Sequence, residues 1–239
     1  MSNGHTYISH KLESNGLIPW TDEEDKTWAT LVKKQDELIK GRACNEFIEG
    51  LKKLNLSKTK APQINDINKV LMKETGWQVE AVPAVIPAND FFTLLSEKKF
   101  PAATFIRKSH ELKYIQEPDI FHEIYGHCPL LTNQAYADFV HYYGKMTLKA
   151  PRKLIKYLFR IFWHTIEFGL VKTNDGIKIY GGGILSSPEE TKYCLREDTQ
   201  NKYMPYNSER VLRTPFRIDI LQDHYFVIDC LDDLFSLTK

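Results

Sequence analysis

The stretch "EPDIFHEIYGHCPLL" (residues 117–131) places two histidines, His122 and His127, five residues apart in an apolar, helix-forming setting. In the zinc-protease pattern His-Glu-x-x-His the spacing is four. Side chains turn by about 100° per residue, so residues four apart project about 40° apart and can share one tetrahedral ion. At a spacing of five the angle opens to about 140°, and a regular helix keeps the two imidazoles apart. Gly126 precedes His127 and Pro129 follows it closely, the composition of a helix that ends or bulges here. A broken last turn would swing His127 back beside His122. The stretch is either a metal site of unusual spacing or a helix that happens to hold two histidines.

The rest of the chain narrows the class. With 239 residues it is long enough for one large domain and a sizeable core. A net charge of +1 offers no basic field for nucleic acid or an anionic membrane. The opening "MSNGHTYISHKLESNG" has no apolar signal region, and no run approaches the roughly 20 apolar residues of a membrane span. Cys44, Cys128, Cys194 and Cys230 form no C-x-x-C pair. They read as reduced, mostly buried thiols, and the expected setting is the cytoplasm.

Periodicity predicts mainly helix with a few short strands, a mainly α (α+β) class in one domain over residues 1–239. Thr21 and Glu24 make a capping box before the apolar face of Trp28, Leu31 and Val32. "NDINKVLMKETG", "DFFTLLSEKKF" and "NQAYADFVHYYGKM" read as helices, and "PRKLIKYLFRIFWHTIEFGLVK" (151–172) as one long helix with Pro151 in its first turn. "ATFIRK", "ELKYI" and "FRIDILQDHYFVI" read as strands, and "DDLFSL" as a last short helix. "GIKIYGGG" is a strand ending in glycines, which serve a close-packed turn because no phosphate-loop lysine follows. "SSPEE" predicts a second capping box, Ser187 to Glu190, with Pro188 at the first helical position. Strands and helices do not alternate, which excludes a Rossmann or barrel architecture.

A third ligand can come from the long helix. Past Arg160 it is apolar nearly all round, with His164 and Glu167 its ionisable interruptions before Lys172, and a helix of that kind is buried. A buried carboxylate needs a partner or a metal; alternatively, Glu167 is solvated and continues the stripe Arg152, Lys156, Arg160. Two imidazoles and one carboxylate are the facial triad of non-haem Fe(II) oxygenases, which leaves three coordination positions open. Glu123, next to His122, would point away from the same ion.

Together, "EPDIFHEIYGHCPLL", "FWHTIEFGL", "YGGGILSS" and "RTPFRIDILQ", with "RAC" at 42–44 and "TGW" at 75–77, resemble the pterin-dependent aromatic amino acid hydroxylases, with the bacterial phenylalanine-using branch as the nearest pattern. The resemblance spans essentially the whole chain. It implies Fe(II) held by His122, His127 and Glu167, a tetrahydropterin and O2 as co-substrates, and hydroxylation of an aromatic ring. It also implies Arg107 at the substrate carboxylate, Asp119 beside the first histidine, Trp163 on the substrate ring, and Gly183 and Ser186 near the substrate's amino acid group. For the pterin it implies Phe91 stacked on the ring, Ile86 and Ala88 at its edge, and Glu123 nearby.

Some positions depart from the family pattern. Phe162 stands where many members carry a tyrosine near the iron, and His164 where an aromatic is usual, as a neighbour of the ligands or a rival nitrogen. "AVIP" replaces Gly-Leu-Ile-Pro and "SSPEE" replaces Ser-Ser-Phe-Gly-Glu. By the same resemblance Trp163 favours L-phenylalanine over tryptophan, since the tryptophan-using branch tends to carry a smaller aromatic there. Tryptophan, tyrosine or another ring position is the alternative within the class, and a zinc hydrolase or a non-catalytic metal or pterin binder lies outside it. With no room for a regulatory domain or a tetramerisation helix, the expectation is a constitutively active monomer.

Overall fold

The computed structural model describes residues 7–112, 115 and 117–238. Its first half is helical where starts and apolar faces coincide. At the head of α1 (Asp22–Leu38) the Thr21 hydroxyl accepts from the Glu24 amide and the Glu24 carboxylate takes the Thr21 N–H, the reciprocal pair expected. α2 (Asn45–Leu54) ends on a left-handed Asn55, φ 46°, and α3 (Ile64–Glu74) is followed by Gly76 at φ 73°. β1 (Gln78–Val82), α4 (Ala88–Ser96) and β2 (Lys99–Ala103) form a parallel crossover, with Gln78 opposite Lys99.

The second half carries two widened helical turns. A π-turn, Phe121–His127, runs straight into α5 (Cys128–Leu131), and α6 (Gln134–Lys149) follows. α7 (Arg152–Phe162) passes without a break into a second π-turn, Trp163–Glu167. β3 (Leu170–Thr173) and β4 (Gly176–Ile179) make an antiparallel hairpin. Then come α8 (Gly182–Leu185), α9 (Pro188–Tyr193), β5 (Tyr203–Pro205), α10 (Ser208–Arg213) and β6 (Tyr225–Ile228). The sheet order is β4-β3-β6-β5, with β6 parallel to both neighbours. One continuous apolar cluster runs from Ile18 to Leu234. Cys44, Cys128 and Cys194 lie inside it as free thiols, while Cys230 is exposed.

Several expected elements are displaced. The strand predicted at "ATFIRK" lies four residues earlier, at Lys99–Ala103, because Lys98 at φ 59° stops α4 and the chain then pairs with β1. Pro101 is tolerated in a two-stranded sheet, where one side of the strand needs no N–H. "ELKYI" forms no strand in its described part, where Ser109–Glu111 is a 3-10 turn; Lys113 and Tyr114 lie outside the described residues. The long helix stops at Glu167 rather than 172, and Pro151 sits just before its first turn. At Gly169 the chain crosses Tyr180 so closely that a Cβ would lie 2.1 Å from the ring, and the next residues turn into β3. Of "FRIDILQDHYFVI" only Tyr225–Ile228 is strand. At α9 the Ser187 hydroxyl accepts from the Glu190 amide, but the Glu190 carboxylate is drawn away to the Gln222 amide and the Tyr225 hydroxyl.

Close packing fixes the first π-turn from outside. A Cβ on Gly50 of α2 would lie 2.0 Å from the Pro129 carbonyl oxygen, two residues past His127. Backbone cannot yield there as a flexible side chain could. Gly50→Ala is expected to cost about 1–3 kcal/mol, read as a lower urea midpoint at unchanged slope. An unchanged midpoint would contradict this contact.

Candidate metal and substrate site

The first π-turn resolves the spacing of five. In a helix bonded i→i+5, residues five apart lie about one turn apart and face the same way. Of the two expected alternatives, a helix that ends or one that bulges, the chain takes the bulge: it is widened at Gly126 rather than broken. Glycine is needed there for packing, since a Cβ on Gly126 would lie 2.7 Å from the Gly182 carbonyl oxygen. The Nε2 atoms of His122 and His127 are 3.2 Å apart. Glu167, at the end of the second π-turn, places Oε1 3.4 Å from His127 Nε2 and Oε2 3.6 Å from His122 Nε2. That turn carries the same signature, a Phe168 N–H donated to the Trp163 carbonyl five residues back at 2.9 Å.

These separations suit a shared ion. Two donors each about 2.1 Å from a metal lie about 3.0 Å apart at a right angle and about 3.4 Å apart at a tetrahedral one. The imidazoles are also oriented from behind. His122 Nδ1 lies 2.9 Å from Ser186 Oγ, and Ser186 donates its hydroxyl proton to the Gly182 carbonyl at 2.8 Å. In the neutral imidazole, the form that binds an ion, the proton is then carried on Nδ1 and the Nε2 lone pair faces inward. His127 is wedged by shape: a Cβ on Gly182 would lie 2.4 Å from its Nδ1, and Phe100 packs against its ring at 5.0 Å. Gly183 has a similar role, since a Cβ there would lie 2.7 Å from Glu167 Oε2.

The electrostatics follow from burial and pairing. Burial opposes charge on His122, but the Glu167 carboxylate outweighs it and holds the imidazole up at about 9. Burial lowers His127. Burial also works against the Glu167 carboxylate, yet the two imidazoles hold it well below the usual range. Glu123 is half-buried, and burial raises it to about 8. It has not turned fully away from the histidines: one ligand atom from each of His122, Glu123 and His127 can be found within 4.8 Å of the others.

A cavity of about 780 Å³ opens over this cluster, a size typical of small-molecule sites. His122, Glu123, Glu167, Gly183 and Ser186 line its floor. Arg107 lines one wall and is itself buried, with Nε and Nη2 donated to the two oxygens of Asp119 at 2.8 Å each. Asp119 also accepts the His122 backbone N–H at 3.0 Å. It therefore ties Arg107 to the first histidine's turn, and does not itself line the cavity. Ile86, Ala88, Phe91 and Phe162 form a second wall. Phe91 stands edge-on to Phe162, with ring centres 5.3 Å apart. Trp163 forms part of a third wall and stacks on Phe216 at 4.3 Å. Gln222 and Glu190 also line the cavity, and sequence reasoning missed both. The only signal was Gln222 closing the "RTPFRIDILQ" motif.

The chain belongs to the biopterin-dependent aromatic amino acid hydroxylases: the family model matches residues 7–238. It is 50% identical over 233 residues to a phenylalanine-4-hydroxylase of Pseudomonas aeruginosa, covering 98% of this chain and 88% of that protein. Its fold matches the apo structure of a cold-active phenylalanine hydroxylase from Colwellia psychrerythraea, with TM-score 0.94, 49% identity, and 98% and 89% of the two chains covered. It also matches a phenylalanine hydroxylase from Chromobacterium violaceum with bound iron(III) and oxidised 7,8-dihydrobiopterin, with TM-score 0.89, 41% identity, and 95% and 85% covered.

His164 is turned out of the cavity and is no rival ligand. Its Nε2 pairs with the Thr214 carbonyl at 3.2 Å, and its ring packs on Phe226 at 5.0 Å and on His224 at 5.2 Å. Burial, with His224 adding to it, lowers this imidazole from 6.5 to about 4. The unfolded chain takes up that proton first, so His164 makes the fold less stable as pH falls from about 6.5 toward 4. His164→Phe is expected to lose less stability than wild type over this window, measured by urea midpoints at several pH values. Equal acid sensitivity would contradict the assignment.

Proposed function

We propose that His122, His127 and Glu167 hold Fe(II) at the floor of the cavity, and that the chain hydroxylates the ring of L-phenylalanine to L-tyrosine with O2 and a tetrahydropterin. One observation carries the reading: two imidazoles and a carboxylate converge within 3.6 Å under an apolar cavity walled by a buried arginine. The names of the relatives favour phenylalanine over tryptophan or tyrosine. Family membership and a histidine spacing of five leave a zinc hydrolase without support.

Iron and pterin, when bound, supply the activation of O2 and the electrons that reduce it. The protein's residues bind, orient and exclude water. Arg107, held flat by Asp119, offers a guanidinium to the amino acid carboxylate. Trp163 bounds the substrate ring. Ser186 and Gly183 stand beside the iron ligands, where the substrate's amino acid group would lie. Phe91 would offer its ring to the pterin, with Ile86 and Ala88 along the pterin edge and Glu123 nearby. Phe162 contributes an apolar edge where a tyrosine would order water. No described helix is long and apolar enough to cross a membrane. The reading extends to a monomeric domain working in the cytoplasm.

The test is product analysis with iron-loaded protein, phenylalanine, a tetrahydropterin and air. Tyrosine should form in step with pterin oxidation. Glu167→Ala should lose iron and drop turnover by more than about 100-fold, beyond the usual effect of a residue behind the ligands. Glu123→Gln should keep its iron and fall by about 10-fold. Iron lost from Glu123→Gln and kept by Glu167→Ala would exchange the two carboxylates' roles.

A further inference from the structure

The segment from Thr214 to His224 walls the cavity beside Trp163 without regular secondary structure. Much of it faces solvent: Ile218 is 54% exposed, Ile220 44% and Leu221 39%. Gln222 is the exception, at 4%. A primary amide that deeply buried needs partners, and it has them on three sides. Its backbone N–H donates to Glu190 Oε1 at 3.1 Å. Its Nε2 donates to the Arg217 carbonyl at 2.9 Å and the Ile220 carbonyl at 3.3 Å. Its Oε1 accepts the indole N–H of Trp163 at 2.9 Å. The two carbonyls fix the sense of the amide, because only Nε2 can donate to them. The oxygen is left to face the indole.

We infer that Gln222 is the positioning residue that fixes the direction of the Trp163 indole edge, and with it the fit of the substrate ring. Phe216 at 4.3 Å and Phe168 at 4.6 Å pack on the indole rings, but neither contact gives its N–H a directional partner. The hydrogen bond to Gln222 supplies that partner and fixes the edge. The same amide closes the loop that carries Phe216, so both sides of the stack depend on one side chain. Glu190 anchors the arrangement to α9, and Tyr225 donates its hydroxyl to the same carboxylate oxygen. The inference rests on the proposal that Trp163 bounds the substrate ring.

The test is a double-mutant cycle in the iron-loaded enzyme: wild type, Gln222→Leu, Trp163→Phe and the double variant. KM for phenylalanine, KM for the pterin, and tyrosine formed per pterin oxidised are read for each. Gln222→Leu should raise KM for phenylalanine by about 2- to 10-fold, the worth of one net hydrogen bond. It should also lower the tyrosine yield per pterin and leave KM for the pterin unchanged. In the Trp163→Phe background, which has no indole N–H, the same substitution should have little further effect. A general loosening would move both KM values and act equally in both backgrounds, and that result would overturn the inference. An unchanged phenylalanine KM in Gln222→Leu would overturn it too. If Gln222→Leu does not fold, Gln222→Asn goes through the same cycle, since it keeps the amide but falls one methylene short of the indole. Wild type that makes no tyrosine would instead remove the hydroxylase reading on which the cycle stands.

Discussion

The widened turn at Phe121–His127 is the constraint on which the site depends. A regular helix would direct His122 and His127 to different faces. The i→i+5 turn brings their Nε2 atoms to 3.2 Å. Such turns are rare and need support from outside. Here α2 presses on Pro129 through Gly50, α8 presses on Gly126 and His127 through Gly182, and Asp119 caps the entry by accepting the His122 N–H. The second π-turn does the same for Glu167, with Gly169 and Gly181 letting strand and turn approach within backbone contact. Both candidate ligand-bearing segments are thus helices held off their regular pitch by tertiary packing.

A second consequence concerns charge. Arg107 and Asp119 are both buried, and each would be costly alone. Together they form a two-bond pair 2.8 Å long whose carboxylate also accepts two backbone N–H groups, from Arg107 and His122. The pair joins the candidate substrate wall to the candidate metal turn.

Much of this was legible in the sequence, for physical reasons that differ by residue. The Thr21–Glu24 box and the amphipathic face of α1 are local, and local chemistry decided them. The His122–His127 spacing announced that a regular helix must fail nearby, because the angle between the two side chains is a matter of geometry. Which form the failure takes was not legible: Gly126 reads equally as a helix end or a bulge, and the packing of Gly182 against it keeps the chain helical. Non-local pairing moved β2 to Lys99–Ala103 and cut the long helix at Glu167. Gln222 was hidden for the same reason. Its importance lies in a partner 59 residues away, and no periodicity marks an irregular segment.

The most direct measurement is a crystal structure of the Fe(II)-loaded protein with anomalous scattering collected at the iron edge. A single iron peak about 2.1 Å from His122 Nε2, His127 Nε2 and a Glu167 oxygen, with the 121–127 turn still widened, is the expected result. A peak bound by only one of the two histidines, or by Glu123 in place of Glu167, would contradict the account.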